Sequence, residues 1–165
     1  MKANVAVRAA VSRTPRLVLD KIPDPYKRKP KIEEPSVCGG CGAVFHKGRW
    51  QWLPAPKDAH TETCQACRRM KDSFPAGLLK LEGAFLRGNK VEVLRVARNC
   101  EEKERRDHPL HRIMAVEEAG ATVVIKTTDI HLPRRIGEAL RRAFHGELEL
   151  QFDRGGYFVR ATWRR

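Results

Sequence analysis

Hydrophobic positions recur with two periods along this chain, and the changes of period divide it into parts. Over 109–165, "RIMAVEE" and "TVVIKTT" alternate apolar and polar residues around Ala119 and Gly120, the pattern of a hairpin. "LPRRIGEALRRAFHG" switches to helical spacing, with Leu132, Ile136, Leu140 and Ala143 on one face and Gly146 as the stop. "ELELQF" and "YFVRATW" return to alternation on either side of Gly155 and Gly156. A two-residue turn at those glycines sets Phe152 opposite Val159, Leu150 opposite Ala161, Leu148 opposite Trp163 and Glu147 opposite Arg164. The pattern predicts a ββαββ domain whose helix covers the apolar sheet face. The other face, with Glu147, Glu149, Gln151 and Asp153, is acidic and poor in aromatics, unsuited to stacking bases.

Residues 84–108 read as a connecting helix. Asn89 and Glu92 have capping-box spacing, and Val93, Val96, Ala97 and Cys100 follow one buried face. Cys100 is then a small core residue, with a sensor thiol as the alternative. The polar run "EEKERRDHP" ends the helix before Pro109.

Residues 32–83 lack long periodic runs. Val44 to His46 and Arg49 to Leu53 form a short hairpin around Lys47 and Gly48. What organises this part is Cys38, Cys41, Cys64 and Cys67, two C-x2-C knuckles separated by a loop. That spacing points to four thiolates around one tetrahedral Zn2+, and Gly39, Gly40 and Gly42 suit the knuckle turns. A redox CxxC needs only one pair, and disulfides belong to oxidising compartments. His46 and His60 lie near the knuckles, but four cysteines already complete a shell, which leaves no open catalytic position. Residues 1–31 are basic and rich in Pro, and read as a flexible arm. The fold class is α+β: an N-terminal zinc ribbon, a connecting helix and a C-terminal ββαββ domain.

Charge adds the class of partner. The chain has 165 residues and a formal net charge of +13, from 33 Lys and Arg against 20 Asp and Glu, which favours a polyanion. No apolar run reaches the roughly 18 residues of a membrane span. The first nineteen residues are broken by Arg8, Arg13 and Arg16, which argues against secretion. A cytoplasmic protein is expected, with an organellar transit peptide as the alternative for the Arg-bearing, acid-free start. Candidate nucleic-acid contacts are Lys27, Arg28 and Lys29 on the arm, Lys47 and Arg49 at the hairpin tip, and Arg68 and Arg69 after the last knuckle. On the helix they are Arg134 and Arg135, near Arg141 and Arg142, with Glu138 spaced to pair with Arg142. Phe45, Trp50 and Trp52 either pack on the zinc site or, for Trp50 or Trp52, stack on a base.

"DPYKRKPKIEEPSVCGGCGAVFHKGRWQW", "HPLHRIM" and "TTDIHLPRRIGEAL" together resemble a family of small bacterial zinc-ribbon proteins, from about Asp24 to Trp163. That family is distantly similar to the zinc-ribbon adaptor of large ribosomal subunits in eukaryotes and archaea, of the nonsense-mediated decay type. Only Cys38, Cys41, Cys64 and Cys67 match the adaptor's paired-cysteine pattern. The resemblance implies binding to ribosomal RNA or a ribosomal subunit, with effects on ribosome stability or mRNA decay. Neither a nucleophile with its base nor a phosphate loop is visible, so no enzyme and no small-molecule substrate is expected. A DNA-binding or protein-interaction module in transcription is the alternative, although no helix-turn-helix or heptad pattern accompanies it.

Overall fold

The strand "GLLKLE" (Gly77–Glu82) is the hub of the larger part of the molecule. A computed structural model describes residues 23–154 and 156–165. The strands are β1 (Ser36–Cys38), β2 (Val44–His46), β3 (Arg49–Gln51), β4 (His60–Glu62), β5 (Gly77–Glu82), β6 (Ile113–Ala119), β7 (Thr122–Thr127), β8 (Glu147–Phe152) and β9 (Val159–Arg164). The helices are α1 (Gln65–Asp72), α2 (Ala84–Asp107) and α3 (Leu132–Phe144). Two sheets result, one ordered β3-β2-β1-β4 and the other β6-β7-β5-β9-β8.

Both sheets are mixed. β1 pairs antiparallel with β2 and parallel with β4. β5 pairs antiparallel with β7 and parallel with β9. The sequence places residues 77–82 with the ribbon, within 32–83; the structure instead puts them in the middle of the second sheet. The ββαββ unit is therefore split by a fifth strand from upstream. Its second hairpin carries the expected partners, including Phe152 with Val159 and Leu148 with Trp163, whereas in the first Ala119 pairs with Thr122, so the turn falls at Gly120 and Ala121 rather than at Ala119 and Gly120.

Leu79 and Leu81 of β5, Val123 and Ile125 of β7, and Ala161 and Trp163 of β9 point to one sheet face. Leu86, Val93 and Ala97 of α2 and Leu132, Ile136 and Leu140 of α3 cover that face. Gly137 lets α3 approach β8, since a Cβ there would come within 2.5 Å of Leu148. Ala143 is exposed and Phe144 takes the inward place at the end of α3. The capping expectation at Asn89 is also corrected. α2 begins five residues earlier, at Ala84, and Asn89 marks a kink (φ −127°, ψ 17°) whose Nδ2 donates to the Phe85 carbonyl. Cys100 packs against the core, and burial raises its thiol pKa, as suits an inert side chain.

The opposite sheet face carries several paired charges. Lys80 and Arg164 both reach Glu82, and Lys126 lies 2.6 Å from Glu117. No helix in the described residues is long and apolar enough to cross a membrane.

Candidate metal centre

The parallel pairing of β1 with β4 sets the two knuckles side by side: Cys38 stands opposite Glu62, and the Gly39 amide donates to the Glu62 carbonyl at 2.9 Å. The first knuckle closes with Gly42 N–H on the Cys38 carbonyl at 2.8 Å. The second opens α1, where Cys64 is the N-cap and its sulfur accepts the Cys67 amide. A helix start is a favourable place for thiolates, because its free N–H groups and dipole stabilise negative charge. Gly40 is needed for this close approach, since a Cβ there would lie 2.9 Å from the Cys67 sulfur.

Cys38, Cys41, Cys64 and Cys67 bring their sulfurs within 4.8 Å of one another, a group that can hold one metal ion. None is in a disulfide. The Cys41 and Cys64 sulfurs are 3.9 Å apart. A disulfide requires about 2.05 Å, whereas tetrahedral Zn–S bonds of about 2.3 Å put sulfurs about 3.8 Å apart. The donor set and spacing thus fit structural zinc. The contact with Cys64 lowers the Cys41 thiol to about 4, whereas the same contact raises Cys64 and burial raises Cys67.

Sequence reasoning missed Arg112, which reaches the centre from the second half of the chain. Its side chain is buried, with Nη1 3.4 Å from the Cys67 sulfur and Nη2 3.8 Å from that of Cys64. Nε donates to the Pro109 carbonyl at 2.7 Å. Four thiolates around a divalent ion carry a net charge of −2, and a buried guanidinium offsets part of it. Nothing in the cysteine spacing marks Arg112. Only the proximity of the folded chain reveals it.

The polyanion candidates separate into two groups. Trp50 is buried in the ribbon core, edge-on to Phe45 at 5.3 Å, so it cannot stack on a base. Arg69 is fully buried: it pairs with Asp24 at 2.5 Å, and its guanidinium lies 4.3 Å from the Tyr26 ring. It is a structural anchor rather than a phosphate contact. The same contacts tether residues 24–26, so the described part of the basic arm lies against the fold, while residues 1–22, including the transit-peptide alternative, fall outside the described residues. Arg28 and Arg68 both pair with Glu62. Arg134 pairs with Glu138, which the sequence assigns to Arg142, and Arg135 lies 3.6 Å from Glu104.

Lys27, Lys29, Lys47 and Arg49 remain exposed and form no ion pair among the described residues. The hairpin tip is held by Glu34, whose carboxylate accepts the Lys47 and Gly48 amides at 2.6 and 3.2 Å. Trp52 is 38% exposed. Its Nε1 donates to the Arg105 carbonyl at 2.6 Å, and the Arg105 guanidinium stands 5.7 Å from its ring. This contact joins the ribbon to the last turn of α2.

Comparison of the chain with family models, with curated proteins and with solved structures finds no match.

Proposed function

We propose that this is a non-enzymatic zinc protein that binds RNA, with ribosomal RNA or a ribosomal subunit as its partner, and so influences ribosome or mRNA fate. The observation that carries the reading is a set of exposed cations on the ribbon and the helices that have no ion pair among the described residues. On the open sheet face, Lys80, Lys126 and Arg164 are neutralised by neighbouring carboxylates. Lys47 and Arg49 on the ribbon, Lys103 and Arg105 on α2, and Arg141 and Arg142 on α3 are exposed without an ion pair among the described residues. Exposed cations without carboxylate partners on a +13 chain favour phosphates. The motif resemblance to ribosome-associated zinc ribbons supports RNA as the polyanion. In this arrangement the metal fixes the hairpin, the hairpin and helices contact phosphates, and Trp52 offers a ring at the junction.

Binding to ribosomal subunits and to single-stranded RNA, followed against salt, tests this. Reversing Lys47 and Arg49 should lower the magnitude of the log–log salt slope by about 0.7 for each lost phosphate contact. Trp52→Ala should weaken binding by about 1–3 kcal/mol if the ring stacks on a base, with little change of slope. An unchanged slope in the charge-reversed protein, or tighter binding to DNA than to RNA under the same salt, would overturn the reading.

A further inference from the structure

Three imidazoles and two carboxylates meet at a place that the cysteine centre does not use. Glu104 comes from the end of α2, His108 and His111 from the segment before β6, and Asp129 and His131 from the turn into α3. His111 lies between the carboxylates, with Nδ1 3.4 Å from Glu104 and Nε2 3.5 Å from Asp129. His108 stacks on its ring at a centroid distance of 4.6 Å, and the His131 ring is 5.9 Å away. The Asp129 side chain is only 7% exposed. Its Oδ2 accepts the His131 and Leu132 amides at 2.7 and 3.2 Å, while its buried Oδ1 has no hydrogen-bond partner among the described residues.

Hydrogen bonding among these groups accounts for only part of this arrangement. A neutral imidazole donates from one nitrogen only, so with Nδ1–H on Glu104 its Nε2 lone pair faces Asp129 and requires either a proton on that carboxyl or a cation between the two. Both separations also exceed the usual range of about 2.7–3.2 Å. A zinc-class ion with bonds of about 2.0–2.2 Å to nitrogen and oxygen holds its tetrahedral ligand atoms about 3.3–3.5 Å apart. The Nε2 to Asp129 separation matches that edge.

We propose that His111, Asp129 and His131 form a second metal site, separate from the cysteines, for a borderline divalent transition ion of the zinc class. His111 binds through Nε2, the Asp129 carboxylate supplies the oxygen, and His131 supplies the third donor, leaving a fourth position for solvent. Glu104 accepts the Nδ1 proton of His111 and fixes its tautomer, a common support for a metal-bound histidine. His108 holds the ring plane by stacking. The cysteines are the only three or more donors already within 4.8 Å of one another among the described residues. Closure of the second site therefore requires the exposed His131 ring to turn. This site stands apart from the RNA reading, and either can fail without the other.

Metal content of the full chain, equilibrated with Zn2+ or Co2+ buffered at micromolar free concentration, provides the test. Two equivalents are expected. The second Co2+ should give ligand-field bands without thiolate charge transfer. Asp129→Asn and His131→Gln should each weaken the second ion about 100-fold or more and leave the thiolate-bound ion in place, and Glu104→Gln should weaken it about 10–100-fold. His108→Asn should retain it. Because the His131 ring is exposed, its replacement leaves the core intact and decides the matter even if Asp129→Asn unfolds. A single equivalent in the wild-type protein, or a second equivalent unaffected by His131→Gln, would overturn the proposal.

Discussion

The two sheets are held by different means. The ribbon has strands of three residues and a small core of Cys38, Ala43, Trp50, Cys64 and Ala66, too little apolar surface to order it alone. Its cross-link would be a metal ion held by the four cysteines. The five-stranded unit instead buries leucines, isoleucines and Trp163 between sheet and helices, and needs no ion for its core. The contrast shows that one chain can place its anchoring energy in coordination bonds at one end and in packing at the other. Arg112 spans the two, with its backbone on the large unit and its guanidinium on the thiolates.

Removing a ligand separates the halves most strongly. Cys64→Ser should abolish tight metal binding and unfold the ribbon, since metal binding and ribbon folding are one event with about 10 kcal/mol or more at stake. Amide exchange should show β1 to β4 opened and β5 to β9 still protected. Loss of protection in both sheets would mean that the division is wrong. The reverse experiment is Trp163→Ala, which should destabilise the large unit by about 3–5 kcal/mol in denaturant while metal affinity measured in native buffer stays unchanged.

Arg112→Met tests the span between the halves. Loss of one member of a buried charge pair costs about 3–5 kcal/mol, so both metal affinity and global stability should fall. Arg112→Lys should restore charge without the fork, and so only part of the loss. If Arg112→Met changes the large unit alone, the guanidinium does not act through the thiolates.

A smaller effect belongs to His111 and Asp129, measured with metal at the cysteines only. Unfolded, the pair has pKa values of about 6.5 and 3.9; folded, burial moves them to about 4 and about 6. Between about pH 4 and 6 the unfolded chain holds a proton on histidine and the folded chain holds one on aspartate, so the proton numbers match and the pair adds no slope. Asp129→Asn leaves the lowered histidine alone, and stability should then fall as pH drops from about 6.5 to 4. His111→Gln leaves the raised aspartate alone, and stability should fall as pH rises from about 4 to 6. Each slope should reach about 1.4 kcal/mol per pH unit in pH-dependent denaturation.

What the sequence made legible was local. The ββ hairpins, and the register of the second, follow from alternation and from glycine at the turns, and the cysteine cluster follows from spacing. β5 was not legible, because "GLLKLE" earns its place through pairing with residues 159–164, and parallel pairing leaves no mark near the strand. Trp50 and Trp52 would share one face of a continuous strand, yet β3 ends at Gln51, so Trp50 packs inward and Trp52, beyond the strand, is left partly exposed. Arg69 reads as one more surface cation until Asp24 and Tyr26 return to cover it. Arg112, which was missed, owes its place to thiolates 45 and 48 residues away in sequence.

The position of β5 also dictates an order of events during synthesis. By residue 67 the growing chain has presented all four cysteines, so a metal-bound knuckle pair can form while later residues are still unmade. β5 follows soon after, but one of its edges stays unpaired until β7 is made and the other until β9. For the intervening stretch of translation an apolar strand has no lasting partner, the kind of exposure that chaperones recognise. The molecule should therefore mature from its metal end toward its packed end, with the last strand of the sheet completing the first.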